Sequence, residues 1–319
     1  MLLIYPVYFI YLEALTNDEI TLKEKLQHFI PAAFFGFLVF ITSLIMNREN
    51  RIIYVEEILI NKNLKSIDIS TFVGTKGFIF LCSRIAFLFQ VIIYIHAGIK
   101  LVNRHNKQIE DYYSNTEGKT LSWIKTIIVL ILAAATASIA ATIMGRGYFS
   151  KHESLLIIPS TIFSSLIFLI GFKGTRQISV NSNFNDDKEE LPFNETKSGQ
   201  NNQLKIQLLY LFENEKIYIL PDLRITDISE KLYTNRTYVS KLINEEFQMN
   251  FNEFVNNYRV QEAKELLKKE SPKTFTLEMV AEKSGFGSFN SFTRVFKATT
   301  GTTPGKYREH YNLNGSVHF

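Results

Sequence analysis

Before Gly174 the chain is a series of long apolar runs with short polar breaks; after it, apolar positions become sparser and periodic. Phe29 to Met46, Phe78 to Val102, Ile124 to Met144 and Leu155 to Phe172 each hold about 18 to 25 mostly apolar residues, against the roughly 20 needed to cross the hydrocarbon core of a bilayer. The pattern predicts four membrane-spanning helices. Four such runs packed so closely would leave almost no polar face for water, which argues against helices buried in a soluble core. Leu2 to Leu15 is shorter and contains Glu13. It lacks a basic n-region and a small-residue cleavage site, so it reads as a candidate fifth span and not as a signal peptide. Ala133, Ala134, Ala135, Ala137, Ser138, Ala140 and Ala141 give the Ile124 run a small-residue surface suited to close packing in lipid, which places it centrally in a bundle.

Gly174 to Gln203 is rich in Asn, Asp, Glu, Ser and Lys and has little apolar periodicity, the composition of a flexible tether. Helical spacing returns at Leu204 to Phe212. Phe254, Tyr258, Val260, Ala263, Leu266 and Leu267 then recur on one helical face and predict a helix from about Phe251 to Lys269, stopped by Ser271-Pro272. The chain thus reads as all-α in three parts: a polytopic helical membrane bundle over 1–173, a tether over 174–203, and a compact helical domain over 204–319.

That last part contains an internal repeat. Ile228 to Phe254 lies over Val280 to Tyr307 with one inserted residue and pairs Leu242 with Val295, Ile243 with Phe296, and Phe254 with Tyr307. In the second copy Thr276 reads as an N-cap, Leu277, Val280 and Ala281 as the buried stripe of a short helix, and Gly285 as the turn. Ser288 then opens a second helix with Phe292, Val295 and Phe296 inside, and Thr303-Pro304 starts a third. In the first copy Asp227 with Glu230 reads as a capping box, Asn235 starts the second helix, and Asn250 with Glu253 forms another box. The small residues Ala281 and Ser229 permit a close helix crossing in each copy.

The string GFGSFNSFTRVFKATTGTTPGKYR, Gly285 to Arg308, together with its weaker copy, resembles the AraC/XylS family of bacterial transcription regulators. The resemblance covers about Leu223 to Tyr311. It implies two helix-turn-helix units that enter successive major grooves of double-stranded DNA, about 34 Å apart. Arg236, Thr237, Ser240 and Lys241 surround the buried Val239, Leu242 and Ile243 and are the candidate DNA-facing residues of the first unit. Phe289, Asn290, Ser291, Thr293, Arg294 and Lys297 are those of the second. Phe289 stands where a polar base-reading side chain is common, and its ring has two readings, contact with a thymine methyl or packing. The chain departs from the family pattern at Gln248 and Tyr233, where glycine is common, and at Ser284, where valine is common.

The apolar runs and the resemblance together predict a regulator in the inner membrane with its DNA-binding part in the cytoplasm, RNA polymerase as a partner, a possible homodimer, activator function, and control by a membrane signal. A rival reading is a transporter or membrane enzyme fused to a DNA-binding reporter. Lys and Arg near the segment ends divide evenly and do not fix orientation. A cytoplasmic DNA-binding part puts Lys173, Arg176, Arg104, Lys107 and Lys119 inside, and Arg146, Lys151 and the loop from Asn47 to Gly77 outside. Arg84 and Lys125 lie near segment ends and read as snorkelling, and His96 reads as a structural hydrogen-bonding residue. Cys82 is the only cysteine, so no intrachain disulfide or cysteine-based zinc site is available. The chain has no Walker loop, H-E-x-x-H or G-x-S-x-G, and neither enzymatic chemistry nor a cofactor is expected. A net charge of +4 is modest, so DNA affinity must come from local placement of basic groups.

Overall fold

A computed structural model of the chain describes residues 2–16, 21–60, 68–144, 148, 152–175, 198–269 and 275–315. Most of the tether, the Ser271-Pro272 stop, Arg146, Lys151 and Arg176 lie outside the described residues. Among those described, the regular elements are helical, with one isolated β-bridge between Tyr113 and Arg224. The chain divides into two compact units: Met1–His105 with Leu121–Asn181, and Asn106–Thr120 with Ser182–Phe319.

The first unit holds helices α1 (Ile4–Thr16), α2 (Leu22–Gln27), α3 (Ile30–Ile45) and α4 (Arg48–Ile53), the last continuing as a π-helical turn over Tyr54–Ile60. The long helix α5 (Phe72–Tyr112) follows, then α6 (Ile124–Met144) and α7 (Ile157–Gly174). Leu12, Phe87, Ile127, Ile131 and Ala135 are among the side chains of its core. Its outer surface is unusually apolar: α3 and α7 bury no residue, and Phe37, Phe40, Ile92 and Phe168 are exposed. Two helices among the described residues, α5 and α7, are long and apolar enough to cross a membrane. The Phe29 run gives a helix of only 16 residues, Ile30–Ile45, and α1 has 13.

The second unit contains α8 (Ser198–Glu213), a 3-10 turn at Ile217–Ile219, α9 (Ile225–Lys231), α10 (Arg236–Phe247), α11 (Phe251–Lys269), α12 (Leu277–Lys283), α13 (Phe289–Thr300) and α14 (Pro304–Gly315). Helix α8 begins six residues earlier than the apolar spacing alone implies, inside the stretch read as tether. Asn106–Thr120, which the apolar runs assign to the membrane part, groups instead with this unit. Its residues are polar enough to hydrogen-bond there, as described below.

Two hydrophobic clusters share α11. Its N-terminal half places Phe251, Phe254 and Val255 against Phe212, Ile228, Val239, Leu242 and Ile243. Its C-terminal half places Val260, Ala263 and Leu267 against Val280, Ala281, Phe292 and Phe296. Each large apolar side chain buried in this way stabilises the fold by roughly 1.5–3 kcal/mol before entropy is counted. One continuous helix therefore serves as a wall of both helix-turn-helix units and fixes one against the other.

The helix ends follow the local signals closely. Asn235 Oδ1 accepts from Tyr238 N at 3.0 Å, Thr276 Oγ1 from Met279 N at 3.2 Å, and Ser288 Oγ from Ser291 N at 3.0 Å. Asn250 and Glu253 exchange hydrogen bonds of 2.8 and 3.0 Å. Asp227 is a correction. It is not the first residue of a box with Glu230 but the third residue of α9, and its carboxylate accepts from Arg224 N at 2.7 Å. The departures from the resembled family also find their geometry. Tyr233 and Gln248 both adopt left-handed backbone, with φ of 50° and 55°, where glycine would be unstrained. Ser284 is buried, and its hydroxyl donates to the carbonyls of Val280 and Ala281. Replacing Gln248 with Gly should relieve the backbone cost, offset in part by glycine's extra freedom when unfolded and by loss of the 2.9 Å bond from Gln248 Nε2 to Glu245 O. A net gain of roughly 0.5 kcal/mol is expected in urea unfolding of the full chain in detergent.

Candidate nucleic-acid interface

Helices α10 and α13 occupy the same place in the two units, each entered through a side-chain cap and each packed on α11 by apolar residues one helical turn apart. Val239, Leu242 and Ile243 are buried on α10, and Phe292 and Phe296 on α13. The opposite faces carry the candidate contacts. Thr237 and Lys241 are exposed, with Arg236 and Ser240 half-buried beside them. Lys241 Nζ lies 3.9 Å from Glu245, an exposed pair one turn apart that contributes little to stability and leaves the ammonium on the surface.

On α13, Phe289, Asn290, Arg294 and Lys297 are exposed, which groups them on one face. Ser291 is not on that face. It is 9% exposed, because the residue that receives the Ser288 cap turns its side chain toward the core. Thr293 is intermediate, and its Oγ1 is buried without a hydrogen-bond partner. Phe289 sits 6.3 Å from Phe292 by ring centroids yet remains 38% exposed, so packing does not absorb its ring. Among the described residues no cluster of acidic, histidine or cysteine side chains could hold a metal ion.

The 217–221 stretch between α8 and α9 is held from inside. Arg259, midway along α11 and 1% exposed, donates from Nε to Tyr218 O at 2.8 Å and from Nη2 to Leu220 O at 2.7 Å. Its guanidinium also lies 5.9 Å from the Phe286 ring of the second unit. Burial pushes the guanidinium pKa down to about 10, against the pull of Asp222, and the group stays charged at neutral pH. Gly285, with φ of 87°, permits the same close approach: a Cβ there would stand 2.5 Å from Tyr218 O. Sequence spacing missed Arg259, since a charged residue between Tyr258 and Val260 reads as solvent-facing.

The 106–120 segment is the other feature the sequence did not disclose. Ser114 N donates to Leu223 O at 3.0 Å, and Ser114 O accepts from Asn252 Nδ2 at 2.6 Å. Ser114 Oγ accepts from Arg259 Nη2 at 3.1 Å. Arg236 lies over the Tyr112 ring at 5.7 Å, and Ser288 Oγ donates to the Glu117 carboxylate. Asp111 is partly buried in the same region. Desolvation raises its pKa, Lys107 opposes the shift, and Glu253 adds to it.

Residues 228–310 match the profile of the helix-turn-helix domain. They form such a domain. Over 89 residues the chain is 35% identical to an HTH-type transcriptional regulator, YfiF, of Bacillus subtilis (strain 168), a match covering 28% of this chain and 27% of that protein. Over 132 residues it is 29% identical to the regulatory protein PocR of Salmonella typhimurium, covering 40% of this chain and 41% of that one. The C-terminal domain of AraT, a response regulator from Geobacillus stearothermophilus, is 26% identical over 34% of this chain and 84% of that domain, with a TM-score of 0.29. The chain thus spans about a quarter to two-fifths of the length of these two curated relatives.

Two outcomes follow from this geometry. Arg294→Ala should cost about 1–3 kcal/mol of DNA affinity and relax selection at one base pair if the guanidinium reads guanine, whereas equal loss on every sequence would make it a phosphate contact. A competition assay with single-base operator variants separates the two. For Asp111, the raised folded pKa means folding takes up a proton, so stability present at low pH is lost as pH rises through that pKa. Asp111→Asn should therefore melt at a higher temperature than the parent at neutral pH, the difference closing as pH falls below about 3.9.

Proposed function

We propose that this chain is a membrane-anchored bacterial transcription regulator that binds specific double-stranded DNA through α10 and α13. The observation that carries the reading is the sharing of α11 by both helix-turn-helix units, since two recognition helices can use successive grooves only when held rigidly. The exposed Lys241, Arg294 and Lys297 supply local positive charge in a domain whose overall charge is small. Anchoring is supported by the length and composition of α5 and α7, by the apolar stretches Ile4–Thr16, Ile30–Ile45 and Ile124–Ala140, and by apolar side chains turned outward in the first unit.

In this reading the first unit lies in the inner membrane and the helix-turn-helix domain faces the cytoplasm. A signal at the membrane alters promoter occupancy, RNA polymerase is the downstream partner, the protein acts as an activator, and pairing of two chains is a means of control. The relatives bear regulatory names, which accord with a protein that performs no catalysis itself.

The fragment Asn202–Phe319 contains both recognition helices and α11, and should fold and bind DNA without the first unit. Its binding to a labelled genomic duplex should weaken steeply as salt rises from about 50 to 200 mM, since each phosphate contact releases counterions. A soluble, folded fragment with no salt-sensitive binding to genomic DNA would remove the basis for this function.

A further inference from the structure

The 106–120 segment crosses the second unit as a strap, and its contacts converge on the entrances of both recognition helices. Ser114 anchors it. The Ser114 backbone bridges Leu223 and Asn252, its hydroxyl accepts from the buried Arg259, and it is itself 1% exposed. On one side of this anchor Tyr112 lies under Arg236, the first residue of α10. On the other side Glu117 accepts from Ser288, the cap of α13, and Asn115 approaches Gly287 so closely that a Cβ there would stand 2.5 Å from Asn115 Nδ2.

The first residues of a recognition helix are those that meet base edges and phosphates in the major groove, and the helix N-terminus favours an anion. The strap puts a carboxylate at one such end and an aromatic ring at the other. A phosphate approaching Ser288 meets Glu117, a like charge that already takes the hydroxyl proton. A groove approaching Arg236 must draw its guanidinium off Tyr112, which costs the cation–π contact. We propose that the strap is an autoinhibitory element that competes with DNA for the N-terminal ends of α10 and α13. The proposal rests on the DNA-binding reading and adds to it a device of control. Because the strap begins in the last turns of α5 and leads on to α6, two apolar helices of the chain, it is the shortest covalent route by which a change in those helices could free or hold the DNA-reading surface.

Competition is reciprocal: whatever the strap costs DNA, DNA costs the strap. The full chain in detergent micelles provides the test, with a fluorescein-labelled duplex enriched from a random-sequence library as the probe and anisotropy at fixed salt as the readout. Glu117→Ala removes the carboxylate and should tighten binding about fivefold or more. Gly287→Ala, whose methyl would push Asn115 aside, should shift affinity in the same direction. In a Cys82→Ser background, Ser114→Cys should react slowly with a maleimide alone and faster when the duplex is in excess. Circular dichroism melting checks that each variant is folded, and tighter binding by a folded variant is not an outcome that damage to the fold produces. Glu117→Ala binding equal to or weaker than that of the parent, with Ser114→Cys equally protected with and without DNA, would overturn the proposal and make the strap a fixed part of the domain. If neither parent nor variants bind any duplex, the DNA-binding reading falls with it, whereas binding by the variants alone is the strongest form of the inhibition proposed.

Discussion

The second unit depends on one buried cation. Arg259 leaves water almost completely, and such a group is tolerated only because backbone carbonyls and a hydroxyl surround its donors. Those carbonyls belong to the 217–221 stretch, where Tyr218 O also stands close to Gly285 of the second helix-turn-helix copy. Removing the guanidinium would take a donor from Tyr218 O, Pro221 O and Ser114 Oγ at once. The hydrophobic clusters on either half of α11 supply the larger share of stabilisation, but they are apolar and indifferent to small rotations. The directional bonds at Arg259 tie α11 to the 217–221 stretch and to Ser114.

Much of this domain could be read from the chain because its signals are local. Caps at Asn235, Asn250, Thr276, Ser288 and Thr303, and apolar spacing along α11, act within one helical turn, so neighbours in sequence carry them. The recognition helices and the exposure of Lys241, Asn290, Arg294 and Lys297 follow from the same periodicity. Ser291 falls at the edge of the buried stripe on α13, where side-chain size and the cap decide direction and helical phase alone does not, and it is 9% exposed. Tyr233 and Gln248 show a different limit: the turn geometry is kept by backbone conformations that a sequence without glycine does not advertise.

Arg259 and the strap were hidden for a common reason. Their partners lie far off in sequence: Ser114 is 145 residues from Arg259, and Glu117 is 171 from Ser288. No periodicity spans such distances, and polar side chains between apolar segments carry no mark of what they will touch. In the first unit the apolar runs are plain, yet the helices they form differ in length: 13 residues in α1, 16 in α3, 21 in α6 and 18 in α7. Composition sets the material of that unit without setting the length of each helix.

The contact between Ser114 and Leu223 also has a bearing on how the protein is made. Ser114 leaves the ribosome long before Leu223, Asn252 and Arg259 exist, so its hydrogen-bonding groups wait on water while α6 and α7 are synthesised. The helix-turn-helix residues, emerging later and near one another, can condense through contacts that are short in sequence. Closure of the intervening loop must come afterwards, at an entropic cost that grows only slowly with loop length, by about 0.6 kcal/mol per doubling. The early segment therefore has partners that exist only after α6 and α7 have been made.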